Sequence, residues 1–185
     1  MFGLWKKKPR IAGYIGHYGL QDWWLSALSP DEREWAEKTF SPMGSSTTLT
    51  RGNILQSSMS RVKFLSSAAP WFSKPGHHEV ALAFADKLAE EITPAIHLEE
   101  RHFAYSTLCK VYYRWRDVTP GSLEKAIAAC EASVDMAHLL GGVISGGTSQ
   151  PIPVSHHCYG QLIVIEKKGR VANVVEIAEQ RAPGM

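Results

Sequence analysis

Apolar residues recur three and four positions apart along most of this chain, the spacing that places side chains on one face of a helix. One such run is Leu65-x2-Ala68-Ala69-x2-Phe72. It is followed by a turn at Lys74-Pro75-Gly76-His77 and then by Ala81-x3-Ala85 and Leu88. A second reads Tyr105-x2-Leu108-Cys109-x2-Tyr112, then Ala126-x3-Cys130 after a turn at Val118–Ser122. A third reads Cys158-x2-Gln161-Leu162-x2-Ile165, a turn at Lys168-Gly169-Arg170, then Val174-x3-Ala178. Small residues at Ala69, Ala81, Cys109 and Ala126 let paired helices approach closely, and Gly76 and Gly169 fall where a helix is expected to stop and reverse. The expectation is an all-α protein of about three stacked helical hairpins, with seven to nine helices and no sheet.

Ahead of these runs, Gly13, Gly16 and Gly19 alternate with tyrosines and His17, which reads as a flexible aromatic lead-in. Leu20 to Leu28 then predicts a short helix. Ser29-Pro30-Asp31-Glu32 is a strong local signal: Ser29 as cap, Pro30 at the first helical position and Glu32 closing a capping box. That helix should run to about Phe40 and stop before Pro42. The two together form an N-terminal helical cap, so residues 1–56 divide from the hairpins of 57–185 within one compact domain. A Ser/Thr-rich loop at 44–50 leads to a helix near Ile54 or Ser60. A second loop, 141–155, carries four glycines and two prolines, and from its place between hairpins it could reach a binding face.

The three runs resemble the tetratricopeptide repeat, a helix–turn–helix of roughly 34 residues, over approximately Ser57 to Arg181. The departures are Pro70 inside the first leading helix, the lengthened second turn, and Ala85, Cys130 and Ala178 where the trailing helices of the family carry aromatics. The resemblance implies a module that holds a protein or peptide in a shallow groove.

Composition narrows the function only by exclusion. Hydrophobic content of 44%, charged content of 21% and a net charge of +2 fit a soluble globular chain without the basic face of a nucleic-acid binder. No apolar run is long enough to span a membrane. Lys6-Lys7-Lys8 has no apolar segment after it, so no secretory signal is expected, and a cytoplasmic protein follows by default. The three cysteines, Cys109, Cys130 and Cys158, lack the close pairing of zinc or redox motifs and are assigned to packing.

The expected binding surface is Tyr105, Tyr112, Tyr113, Arg116 and His157, because aromatics beside arginine dominate interface hot spots. The rival is a helical-bundle enzyme. Glu99 with His102, and Asp135 with His138, each set a carboxylate and an imidazole on one helix face, as dimetal sites in bundles do. Other metal and nucleotide motifs fail: Leu82 stands where a zinc-protease helix needs its second histidine, and Gly147 where a phosphate loop needs lysine. His156-His157-Cys158 lacks an orienting third group for nucleophilic catalysis. No cofactor is expected. The third possibility is a structural subunit whose exposed aromatics are buried in a homo-oligomer.

Overall fold

The structure is a computed structural model. It describes the backbone of residues 11–42, 49–144 and 157–181 and, except at 137, 138, 141–144 and 171–181, their side chains. Eight helices and no strands are present among the described residues. The chain divides into two compact units, Met1–Ile92 and Thr93–Met185. The boundary expected at 56/57 falls inside the first unit. There, backbone bonds from Ala12, Gly13 and Ile15 to Thr50, Gly52 and Leu49 tie the chain's early segment to residues 49–52. The Tyr18 hydroxyl also donates to the Met59 carbonyl.

The first unit holds α1 (Gly13–His17), α2 (Gln21–Ala27), α3 (Pro30–Thr39), α4 (Arg61–Trp71) and α5 (His78–Glu91). The glycine-tyrosine lead-in is a correction to the sequence reading, since Gly13–His17 forms a short helix. A Cβ at Gly16 would lie 2.3 Å from the Ile11 carbonyl oxygen, so glycine there permits a close backbone approach rather than flexibility. The capping box of α3 is complete: Glu32 N–H donates to Ser29 Oγ at 3.3 Å, and Ser29 N–H to Glu32 Oε2 at 2.7 Å. Ser60 caps α4 through the Lys63 N–H.

Pro70 lies in the last turn of α4, which ends one residue later at Trp71. Gly76, at φ 80°, supplies the left-handed residue of the turn into α5. The α4 face Val62, Phe64, Leu65, Ala68 and Ala69 packs on the α5 face Val80, Ala81, Phe84, Ala85 and Leu88. Rings fill the rest of this core. Phe64 stacks with Tyr14 and Tyr18, and Phe84 meets Trp23, Trp24 and Phe72.

One end of the α4–α5 hairpin is fastened by charge. Glu91 receives Arg61 Nη1 at 2.9 Å and Lys87 Nζ at 2.9 Å. Partial burial pushes the Glu91 carboxyl upward, but the bonds from Lys87 and Arg61 outweigh it and the group sits below the ordinary carboxylate value. A depressed carboxylate contributes stability above its unfolded pKa and loses it as pH falls through its folded one. Glu91→Gln should therefore cost about 1 kcal/mol at pH 7, a charged hydrogen-bond value reduced for solvent screening. The difference from the unaltered chain should begin to shrink as pH falls below the unfolded value of about 4.3 and disappear only once pH has passed through the lowered folded one. Urea denaturation at several pH values reads both.

The second unit holds α6 (Leu98–Arg114), α7 (Ser122–Ile144) and α8 (His157–Arg181). α6 and α7 form the second expected hairpin, joined through the turn ending at Gly121, which has φ 79°. The expected third hairpin is absent: α8 runs unbroken through Lys168-Gly169-Arg170. A single glycine raises the cost of a helix by only about 1 kcal/mol relative to alanine. Here the Glu166–Arg170 ion pair, one helical turn long, spans it. Without a proline or a left-handed residue, Gly169 does not end the helix. Of the small residues expected at helix contacts, Ala69, Ala81, Cys109 and Ala126 are buried. Leu162 is half-buried, and the side chain of Ala178 lies outside the described ones. The 141–155 loop begins inside α7, which continues to Ile144, and its residues 145–155 lie outside the described residues.

Candidate functional sites in the three-helix unit

Three thiols meet where α6, α7 and α8 pack. Cys109 sits midway along α6, with buried Leu108 and Tyr112 beside it on the inward face. Cys130 follows Ala126 by one turn on the face of α7 that packs on α6, and Cys158 is the second residue of α8. The three Sγ atoms all lie within 4.8 Å of one another, all three residues are buried, and none is in a disulfide. Cys130 Sγ is 2.7 Å from Cys109 Sγ.

A polar rim borders this cluster inside an otherwise apolar seam. His102 lies seven residues before Cys109, two turns along the same helix face, and is buried. Its Nδ1 is 3.0 Å from the Ser133 carbonyl oxygen and 3.1 Å from Ser133 Oγ. A carbonyl only accepts, so Nδ1 carries a proton and donates it to Ser133. His102, Ser106, Ser133, His157 and Cys158 line one narrow void. Hydrogen bonds from Cys109 and Cys130, joined by Ser133 and Ser106, overcome burial and bring the pKa of Cys158 down to about 2. Cys109 is raised by its bonds to Cys130 and Cys158 and by burial. Cys130 is drawn down by its bond to Cys109, but the bond to Cys158 and burial push it up to about 12.

The sequence assigned these cysteines to packing because their spacing is long; Cys109 and Cys130 are 21 residues apart. Close pairs such as Cys-x-x-Cys arise when two ligands come from one turn, whereas a site built from one thiol per helix leaves no local spacing to read. The available signal was that Cys109, Cys130 and Cys158 each fall on a different expected helix of the second and third runs.

A second feature is a groove of about 370 Å³ lined by Tyr113, Arg116, Asp117, Leu123, Ile165, Lys168 and Gly169. The Arg116 guanidinium lies 4.0 Å from the Tyr113 ring centroid, and Lys168 Nζ lies 6.0 Å from the same ring. Arg116 also donates to the Tyr113 carbonyl at 2.7 Å and pairs with Asp117 at 2.9 Å. These bonds fix the guanidinium against the ring. The groove thus combines two apolar lining residues, Leu123 and Ile165, with cations beside an aromatic ring.

The other expected site residues fall as follows. Tyr112 is buried and belongs to the core, so its ring has no surface to offer a partner. Tyr105 is half-buried on α6, and His157 is exposed at the start of α8. Glu99 and Asp135 are exposed while His102 points inward, and these three do not gather into a common ligand set. The His138 side chain lies outside the described ones. In the first unit, a cleft of about 590 Å³ is lined by His17, Gln21 and Asn53 together with Ile11, Ile54 and glycines of α1 and residue 52. Among the described residues, His17 is the one titratable side chain in its lining.

Compared with protein-family models, curated proteins and solved structures, the chain matches none. No helix among the described residues is long and apolar enough to cross a membrane.

Proposed function

We propose that the protein is an interaction module that holds a short peptide segment carrying a carboxylate next to an aliphatic side chain. The observation supporting this reading is the groove in which Arg116, itself paired with Asp117, and Lys168 lie by the Tyr113 ring beside Leu123 and Ile165. A carboxylate between the two cations gains charge-assisted bonds, which are roughly twice as strong as neutral ones. An aliphatic neighbour would cover Leu123 and Ile165. Because Arg116 is already braced against the ring, less side-chain freedom is lost on binding. The tetratricopeptide-like reading of the α4–α5 and α6–α7 hairpins belongs to this proposal, since hairpins of that kind commonly present such grooves. Three free thiols suit a reducing compartment, which supports a cytoplasmic location.

The oligomer reading rests on exposed apolar side chains, among them Phe103, Leu139 and Ile163. Singly exposed apolar residues are ordinary on protein surfaces, so the groove is the better guide. The test is an array of short peptides in which one Asp or Glu is flanked by Leu or Ile. Changing Tyr113 and Arg116 together to Ala should weaken capture at least tenfold and leave helical content unchanged. Capture should also weaken with added salt. Equal capture by the double variant would place binding elsewhere.

A further inference from the structure

We propose that Cys109, Cys130 and Cys158 together bind one thiophilic metal ion, zinc(II) being the first choice. Each thiol comes from a different helix, so the three can surround one point. Zinc–thiolate bonds are about 2.3 Å long, which sets tetrahedrally arranged sulfurs about 3.8 Å apart. Cys109 and Cys130, at 2.7 Å, stand closer than that, and no pair of the three is more than 4.8 Å apart. Sulfur shifts of about 1 Å, within reach of small side-chain rotations, bring all three to bonding distance. Thiolates are soft ligands, and a set of three buried ones selects zinc or copper(I) over magnesium or calcium.

The surroundings of the thiols favour an ion over plain packing. Buried cysteines that serve only as small hydrophobes have no need of polar neighbours. Here Ser106, Ser133 and His102 stand beside Cys158, and the buried His102 is oriented by the Ser133 carbonyl. The competing use of the cluster is a disulfide between Cys109 and Cys130. That bond would occupy two thiols and leave unexplained why a third helix delivers Cys158 to the same point.

Binding takes three thiols to thiolates and releases their protons to solvent, with no change of oxidation state. The experiment uses the full chain, purified under reductant without oxygen. Metal analysis and titration with Zn²⁺ against a competing chelator give the stoichiometry and affinity. Titration with Co²⁺ gives the spectrum of a thiolate-bound tetrahedral ion. The expected results are one ion per chain, sulfur-to-cobalt charge-transfer absorption, and at least a hundredfold loss of zinc affinity in Cys158→Ser. The cobalt spectrum of the unaltered chain stands even where that variant does not fold. A reduced chain that binds neither ion, or that binds zinc equally well with Cys158 changed, would overturn the proposal. So would a Cys109–Cys130 disulfide persisting in the reductant-treated protein.

Discussion

Phe64→Ala should lower the stability of the first unit by about 3–5 kcal/mol, the range for removing a large buried aromatic ring. Phe64 is 1% exposed and central to the aromatic core. Its ring centroid lies 5.1 Å from that of Tyr14, 5.2 Å from Tyr18 and 6.2 Å from Phe40. Truncation loses the transfer free energy of the ring and leaves a cavity walled by rigid rings, which collapse poorly into a void. It also removes the contacts that hold α1 and the end of α3 to α4. Urea denaturation followed by tryptophan fluorescence reads this well, because Trp23, Trp24 and Trp35 belong to the same unit. A loss under about 1 kcal/mol would mean that Phe64 is not at the centre of the core.

Ala126→Phe should destabilise the second unit by about 1–3 kcal/mol or more through overpacking. Ala126 is fully buried one turn before Cys130, on the face of α7 that packs on α6. A phenyl ring there must push the helix axes apart, and it would spread the thiols as well. Circular dichroism during thermal unfolding measures the cost, and thiol titration of the folded variant measures the spreading. Unchanged stability would show that the α6–α7 register differs from the one described.

The same residues explain how much could be read from the sequence. The α3 cap was legible because a capping box is local, with its two partners three residues apart. The α4–α5 and α6–α7 hairpins were legible because an apolar stripe, a turn glycine and a second stripe follow one another directly. Gly169 misled for the same reason: a glycine between two stripes marks a turn only if the helix gains by stopping, and the Glu166–Arg170 pair favours continuing. Gly13 and Gly16 looked like flexibility. Their role depends on the close approach of Gly16 to the Ile11 carbonyl and on the bonds α1 makes to residues 49–52 across a long span of chain. The thiol cluster was hidden because it requires the packing of three helices, while each cysteine alone reads as a small core residue. Tyr112 and Tyr113 were legible as a neighbouring pair, but which one faces solvent depends on how α6 is rotated in the hairpin.

Both the groove and the thiol cluster require that α8 lie against α6 and α7 as one continuous helix, with Cys158 at their seam. The direct measurement uses a Cys130→Ser chain, dilute enough to prevent contact between molecules and mildly oxidised, with its peptides mapped by mass spectrometry. The expected product is an intramolecular disulfide between Cys109 and Cys158, formed faster than in the same chain unfolded in urea. If those two cysteines pair no faster in the folded chain, or pair only between molecules, α8 does not bring Cys158 to the seam and both proposals lose their foundation.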